Sequence, residues 1–194
     1  MTIKLPIGLS NRHIHLSQED LNILFGENYQ LTKAKALSQP GQYACDERVD
    51  IVGPKGTLKG VRVLGPVRKK TQVEISISDS FKLGVEPVVR NSGDIEGSPG
   101  AKIIGPKGEL ELKEGVIVAA RHVHLHTSDG EKFGIKDGDI VNIKTEGVRA
   151  VIFKNVLARV GDTHALEVHV DIEEGNAAGV KNGDLVELIK EEVI

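Results

Sequence analysis

The chain has 194 residues, with 25 Lys or Arg against 28 Asp or Glu; a formal net charge of −3 excludes a nucleic-acid backbone or an anionic membrane as its main partner. Charged residues at 27% and hydrophobic residues at 39% exclude a disordered chain, and no apolar run approaches the ~18 residues that span a bilayer. Cys45 is the only cysteine, so no intrachain disulfide forms and a reducing cytosol fits; 3% aromatics leave no platform for stacked bases, and 22 glycines favour short strands and tight turns.

The first segment, Thr2 to Ile7, is expected to be a strand. Arg12-His13-Ile14-His15-Leu16 follows it. Ser17 is placed to cap a short helix over Gln18–Phe25, with Asp20 at its third position and Leu21, Leu24 and Phe25 on one face. Gly53-Pro54-Lys55-Gly56 marks a turn, Val61 to Leu64 alternates as a strand, and Gly65-Pro66 ends it. Arg68-Lys69-Lys70 leads into a longer alternating run, Thr71 to Ile77, which carries Glu74. The stretch from Glu86 to Gly100 is broken by Pro87, Gly93, Gly97 and Pro99; it is either a solvated connector or a loop over a site. Gly105-Pro106-Lys107-Gly108 is a further turn. A second short helix is expected through Ser128 to Phe133, and a strand over Leu166 to Val170.

Internal repetition organises this list. The first pentad recurs as Arg121-His122-Val123-His124-Leu125, 109 residues later, and each copy leads into a polar helix start that ends in Phe-Gly. Gly60-Val61-Arg62 has a counterpart in Gly147-Val148-Arg149. The strand holding Glu74 falls about where the second half places Glu167 and His169. Val180 to Val186 echoes Ile135 to Val141, and the Asn-Gly and Asp-Gly pairs there favour positive-φ turns that enter a strand. The reading is a mainly β protein of two related β-barrel halves with short helices. Residues 1–116 form the first half, its N-terminal strand free to pair with the second, and residues 117–194 form the second.

On a strand, residues i and i+2 share a face, so each His-x-His brings two imidazoles toward one point. Each half offers a third donor from a later strand. The candidate metal ligands are His13, His15 and Glu74 in the first half and His122, His124 and His169 in the second. Three protein donors leave coordination positions open, as in catalytic sites, and imidazole alone does not choose among Zn, Fe, Ni and Cu. His126 is read as a surface histidine rather than a fourth ligand, His164 as solvated, and Cys45 as a small buried residue rather than a nucleophile. Arg68 belongs to a charge run of the kind that usually faces solvent; six residues before Glu74, it also lies within reach of the same pocket, where a guanidinium would grip phosphate. No Walker loop, dinucleotide fingerprint or Gly-x-Ser-x-Gly elbow is present, so metal and arginine chemistry without a covalent serine is expected.

From Ile7-Gly8-Leu9-Ser10-Asn11-Arg12-His13 through Leu37-Ser38-Gln39-Pro40-Gly41-Gln42, Leu64-Gly65-Pro66-Val67-Arg68 and Ser92-Gly93-Asp94 to Glu173-Glu174-Gly175-Asn176, the chain resembles the phosphate propanoyltransferase family, phosphotransacylases of the PduL type. The resemblance implies two closely packed β-barrels and reversible transfer of a short acyl group, propanoyl or acetyl, between coenzyme A and inorganic phosphate. It implies two Zn²⁺ on the six ligands named above and phosphate recognition at Arg68; the mechanism expected from such a site is direct attack on the thioester by a phosphate that Arg68 holds, which makes Arg68 the catalytic residue. Coenzyme A contacts fall on Ser10, Asn11, Arg12, Lys55, Arg62 and Asn176. Members packed into bacterial microcompartments carry an additional N-terminal amphipathic helix. This chain starts with a strand, so a cytoplasmic enzyme is expected, with association with a microcompartment through another partner as the alternative; a homodimer is the default, and no nucleic-acid or membrane partner is expected. A zinc hydrolase and a non-catalytic, metal-stabilised binding module are the competing readings of the residues.

Overall fold

A computed structural model describes residues 3–190. Thr2 of the expected first strand and the outermost residues of the two expected halves, 1–2 and 191–194, lie outside the described residues. In chain order the elements are β1 (Ile3–Ser10), β2 (His13–His15), α1 (Gln18–Phe25), β3 (Lys33–Ala36), β4 (Tyr43–Val52), β5 (Thr57–Gly65) and β6 (Gln72–Glu74). They continue with α2 (Ile77–Leu83), β7 (Val89–Arg90), β8 (Ala101–Ile104), β9 (Glu109–Leu112), β10 (Val116–Ala119) and β11 (His122–Leu125). The last are α3 (Thr127–Phe133), β12 (Ile140–Lys144), β13 (Ile152–Val160), β14 (Glu167–Asp171), α4 (Ile172–Ala178) and β15 (Leu185–Lys190). The protein is mainly β, as expected.

The chain forms two compact units. Unit one comprises Met1–Ser10, Ser38–Pro40 and Ala120–Ile194; unit two comprises Asn11–Leu37 and Gly41–Ala119. The sequence reading drew a single boundary after residue 116, whereas the chain passes between the units several times. Unit one is a closed barrel in the order β1-β14-β11-β13-β12-β15. Leu5, Ile7, Val123, Leu125, Ile143, Val156 and Val168 fill it, each with no exposed surface. Unit two is a nine-stranded sheet, β7-β10-β6-β2-β5-β4-β8-β9, with β3 added on β4. Along β4, Cys45, Val49 and Ile51 are buried while Asp46 and Arg48 are exposed, the period-2 pattern of a sheet covered on one face.

The helix over Gln18–Phe25 starts on the Ser17 cap, which accepts from the Asp20 N–H at 3.1 Å. The described residues hold four helices where two were expected. The run from Thr71 to Ile77 is a strand only as far as Glu74, because Ser76 and Asp79 close a reciprocal capping box that starts α2. Asp171 and Glu174 form the same box at the start of α4. The two Gly-Pro-Lys-Gly turns dock on helix ends. The Lys55 N–H donates to the Leu83 carbonyl at 2.9 Å and the Lys107 N–H to the Leu24 carbonyl at 3.0 Å, which satisfies acceptors that a helix terminus leaves open. A Cβ on Gly53 would stand 2.3 Å from the Leu83 carbonyl oxygen, so the close approach requires glycine there.

The repeat between Ile135–Val141 and Val180–Val186 is structural. Asp139 accepts from the Lys136 N–H at 2.7 Å and Asp184 from the Lys181 N–H at 2.8 Å, with Gly138 and Gly183 both at φ 87°. Gly60-Val61-Arg62 and Gly147-Val148-Arg149 are not counterparts. The first lies in β5; the second is a loop outside any strand, with Val148 fully exposed.

Candidate functional site

Strand register builds the site twice. In unit two, β2 runs parallel to β5 and antiparallel to β6, which sets His13 opposite Glu74 and His15 opposite Gln72. In unit one, β11 runs parallel to β13 and antiparallel to β14, which sets His122 opposite His169 and His124 opposite Glu167. A fourth strand completes each motif: β10 lies parallel to β6 with Ile117 beside Glu74, and β1 lies parallel to β14 with Gly8 beside His169. Glu74 and His169 are therefore equivalent positions. Because alternate residues of a strand share a face, each motif converges three donors. His13, His15 and Glu74 form one set, His122, His124 and His169 the other, with the donor atoms of each set within 4.8 Å of one another.

The first set is buried. The His13 Nδ1 bonds the Asn11 carbonyl at 2.7 Å and its Nε2 lies 3.4 Å from Glu74 Oε2. Burial works against the charged forms of both, but their mutual attraction and hydrogen bond prevail, raising His13 and holding Glu74 well below the usual carboxylate range. Burial, then the neighbouring His13 and Arg68 charges, lowers His15 to about 3, so it is neutral at pH 7. The His15 Nδ1 is buried with no hydrogen-bond partner among the described residues, and two imidazoles converging with a carboxylate make a donor set that fits a divalent ion. Around Glu74 runs a network that sequence reasoning missed. Ser92 Oγ donates to Glu74 Oε1 at 2.8 Å and accepts from Gln72 Nε2 at 2.9 Å and Arg68 Nη1 at 3.2 Å. Gln72 also donates to Glu74 Oε1 at 2.7 Å, and its own carbonyl takes the Gly93 N–H at 2.7 Å. The stretch Glu86–Gly100 thus includes a loop fastened to the site through Ser92 and Gly93.

In the second set the Nε2 atoms of His122 and His124 face each other at 3.1 Å, a separation suited to two nitrogens sharing one ion. Burial, then the His122 and His169 charges, lowers His124 to about 2. His164, expected to be solvated, instead stacks on His124 with ring centroids 4.6 Å apart, and their Nδ1 atoms are 2.8 Å apart. Glu167 Oε2 meets His169 Nε2 at 2.7 Å and also accepts from Ser38 Oγ. Gln39 clamps Ala165, donating to its carbonyl at 3.0 Å and accepting its N–H at 3.1 Å. His126 caps α3, accepting from the Ser128 N–H at 3.2 Å, and is not part of the donor set.

The remaining predicted residues are placed as follows. Arg68 is half-buried, its backbone fixed by an N–H donated to the Leu16 carbonyl at 2.9 Å. Arg12 pairs through Nε with the buried Asp79 carboxylate at 2.9 Å. Arg121, its repeat partner, pairs in the same way with Glu174 at 2.8 Å, so the pentad arginine ties the strand to the capping box in both units. Arg62 stands opposite His13 and donates to the Cys45 carbonyl. Asn11 accepts the Arg12 N–H through Oδ1 at 2.9 Å, and Lys55 is exposed in its turn. Ser10 ends β1 and Asn176 is exposed on α4, both in unit one, whereas the other four expected coenzyme A contacts belong to unit two. Burial pushes the Cys45 thiol up to about 11, which leaves it inert as a nucleophile.

Fold and site together define a mainly β protein with a register-matched three-donor cluster in each of two units. A family model for phosphate propanoyltransferase matches residues 6–181. A phosphate propanoyltransferase of Thermotoga maritima is 60% identical over 162 residues, 83% of this chain and 77% of that protein. One from Clostridioides difficile is 52% identical over 82% of this chain and 76% of its own length, and one from Rhodopseudomonas palustris 48% over 84% and 73%. The chain belongs to the phosphate propanoyltransferase family and is an acyltransferase. No helix among the described residues is long and apolar enough to cross a membrane.

Proposed function

We propose that this enzyme transfers a short acyl group, propanoyl or acetyl, reversibly between coenzyme A and inorganic phosphate, with one zinc ion held by His13, His15 and Glu74 and a second by His122, His124 and His169. The observation that carries this reading is the chain of contacts from Arg68 through Ser92 to Glu74, which links a phosphate-type cation to one of the donor sets. A divalent ion on such ligands supplies Lewis-acid polarisation of a thioester carbonyl and stabilises a thiolate.

Arg68 binds the phosphate dianion and orients one oxygen toward the carbonyl carbon. The new C–O bond forms first, giving a tetrahedral oxyanion, and its collapse breaks the C–S bond so that coenzyme A departs as its thiolate. Ser92 and Gln72 hold the Glu74 carboxylate in position through hydrogen bonds to its Oε1, and His13 keeps it ionised. With Cys45 buried and its thiol raised, and with no nucleophile elbow in the sequence, direct attack by phosphate is favoured over a covalent acyl-enzyme. Ser10, Asn11, Arg12, Lys55, Arg62 and Asn176 are proposed to contact coenzyme A. A cytoplasmic location and a homodimer remain part of this reading.

The test is acylation of coenzyme A by propanoyl and acetyl phosphate, run side by side and followed as thioester absorbance with and without a chelator. Turnover that the chelator abolishes and added zinc restores supports the reading. Metal-replete protein that hydrolyses acyl phosphate without acylating coenzyme A would replace it with a hydrolase.

A further inference from the structure

The two donor sets share a register but differ in what surrounds them. In the His122–His124–His169 set every imidazole has one nitrogen engaged outside the cluster. His122 Nδ1 bonds the Ala120 carbonyl at 2.9 Å, His124 Nδ1 faces His164 Nδ1 at 2.8 Å, and His169 Nε2 faces Glu167 Oε2 at 2.7 Å. A neutral imidazole has one N–H and one lone pair, so whichever nitrogen donates outward fixes the other as the ligand. A carbonyl and a carboxylate only accept here, which places the proton of His122 on Nδ1 and that of His169 on Nε2. The lone pairs are then His122 Nε2 and His169 Nδ1. Between His124 and His164 one Nδ1 must donate. For His124 to offer Nε2, which already faces His122 Nε2 at 3.1 Å, it must be the donor and His164 the acceptor.

We propose that Glu167 and His164 are positioning residues of this centre, Glu167 holding the Nε2–H of His169 and His164 the Nδ1–H of His124, so that three lone pairs converge before any ion arrives. The inference rests on the metal-binding reading above. Both residues are themselves held in place. Ser38 donates to Glu167 Oε2, Gln39 Nε2 lies 3.4 Å from the same oxygen, and the His164 N–H donates to the Gly161 carbonyl at 3.2 Å. The first set has a different residue facing its second histidine. At the position where unit one has Glu167, unit two has the neutral Gln72.

Outer partners of metal-bound histidines typically contribute about 10–100-fold in metal affinity. The experiment is titration of the full-length, metal-free chain with Co²⁺ against a chromophoric chelator, followed by visible absorption. Loss of one binding phase in Glu74→Ala assigns the phases to the two sets. Glu167→Leu and His164→Phe are each expected to weaken the phase of the unit-one set by about tenfold or more while the other phase stays at its wild-type affinity. His164→Phe keeps a ring for stacking but offers no acceptor, and Glu167→Gln keeps an acceptor without the charge. Glu167→Gln should therefore recover part of the affinity lost in Glu167→Leu. Circular dichroism of the metal-free variants separates weakened binding from unfolding.

Unchanged affinity in folded His164→Phe and Glu167→Leu would overturn the inference and leave the two-metal reading standing. A wild-type chain that binds Co²⁺ only in the phase lost in Glu74→Ala would overturn both. Glu167→Leu that loads fully but with altered shape and intensity of the Co²⁺ bands would make Glu167 a ligand and refute its positioning role.

Discussion

Replacing Ser92 by alanine isolates the loop that sequence reasoning left undecided. Its hydroxyl donates to Glu74 Oε1 at 2.8 Å and accepts from Gln72 at 2.9 Å and from Arg68 at 3.2 Å, so one oxygen joins a proposed metal ligand to the proposed phosphate-binding cation. A hydrogen bond to a charged group contributes about 1.5–3 kcal/mol. Gln72 still donates to the same carboxylate oxygen at 2.7 Å in the variant, which limits the loss to the lower part of that range. At roughly 1.4 kcal/mol per tenfold, a loss of about 1.5–2 kcal/mol is a roughly 10–30-fold drop in affinity for the ion held by His13, His15 and Glu74. The phosphate KM should rise as well, because Arg68 loses its contact with Ser92. The assay is Zn²⁺ competition with a chromophoric chelator on metal-free protein, paired with phosphate saturation of the zinc-loaded enzyme. A folded Ser92→Ala chain with wild-type zinc affinity and wild-type phosphate KM would refute the argument that this loop is built into the site.

Arg68→Ala removes a charged donor and should raise the phosphate KM by at least tenfold, an expected loss of about 1.5–3 kcal/mol; metal content, measured by elemental analysis, should not change. Gly8→Ala would put a Cβ 3.0 Å from Glu167 Oε1 and 3.1 Å from His169 Cδ2. The overpacking should cost about 1–3 kcal/mol in thermal stability and weaken metal binding at the unit-one set, and a variant matching wild type in both measurements would contradict it. Glu47 accepts from the Tyr29 hydroxyl at 3.0 Å and the Thr32 N–H at 2.9 Å. Burial opposes its charge, but the hydrogen bonds prevail and lower it from 4.5. The native state therefore binds the proton less readily than the unfolded chain. The resulting stability is complete above pH 4.5 and is lost as pH falls through the lowered native value. Urea unfolding of wild type and Glu47→Gln should converge on acidification, and divergence would reverse the sign.

The donor sets were legible because period-2 alternation is a local property: His13 with His15 and His122 with His124 need only a strand to share a face. The helix over Gln18–Phe25 was legible for a similar reason, since its cap and apolar face lie within nine residues. The run Thr71–Ile77 misled because Ile75 and Ile77 continue the alternation into a helix start, although Ser76-x-x-Asp79 was present as a capping box. Asp171-x-x-Glu174 was overlooked in the same way. His164 lies in a Gly-Asp-Thr-His segment that looks like any solvated turn. Its partner, His124, is 40 residues away, and nothing local records a contact at that separation. Ser38 and Glu167, 129 residues apart, were hidden for the same reason.

Where each pentad's preceding strand goes was only half legible: the sequence left the N-terminal strand free to pair with the second half, but a boundary after residue 116 gave most of β10 to the second half as well. β1 leads directly into β2, yet it pairs with β14 and β15 in the unit-one barrel; β10 leads into β11, yet it pairs with β6 in unit two. A fragment spanning Ala120–Lys190 would therefore lack the strand between β14 and β15, leaving two open edges where the full chain has a closed barrel. It would also lose Leu5 and Ile7, both fully buried in that core. Burying two such side chains contributes about 3–6 kcal/mol, comparable with the whole stability of a small domain at about 5–15 kcal/mol. The fragment alone should show no cooperative urea transition, and a peptide carrying residues 3–10 should restore one. A sharp transition in the isolated fragment would mean that the His122–His124–His169 set is framed without β1, and that Gly8 has no part in shaping it.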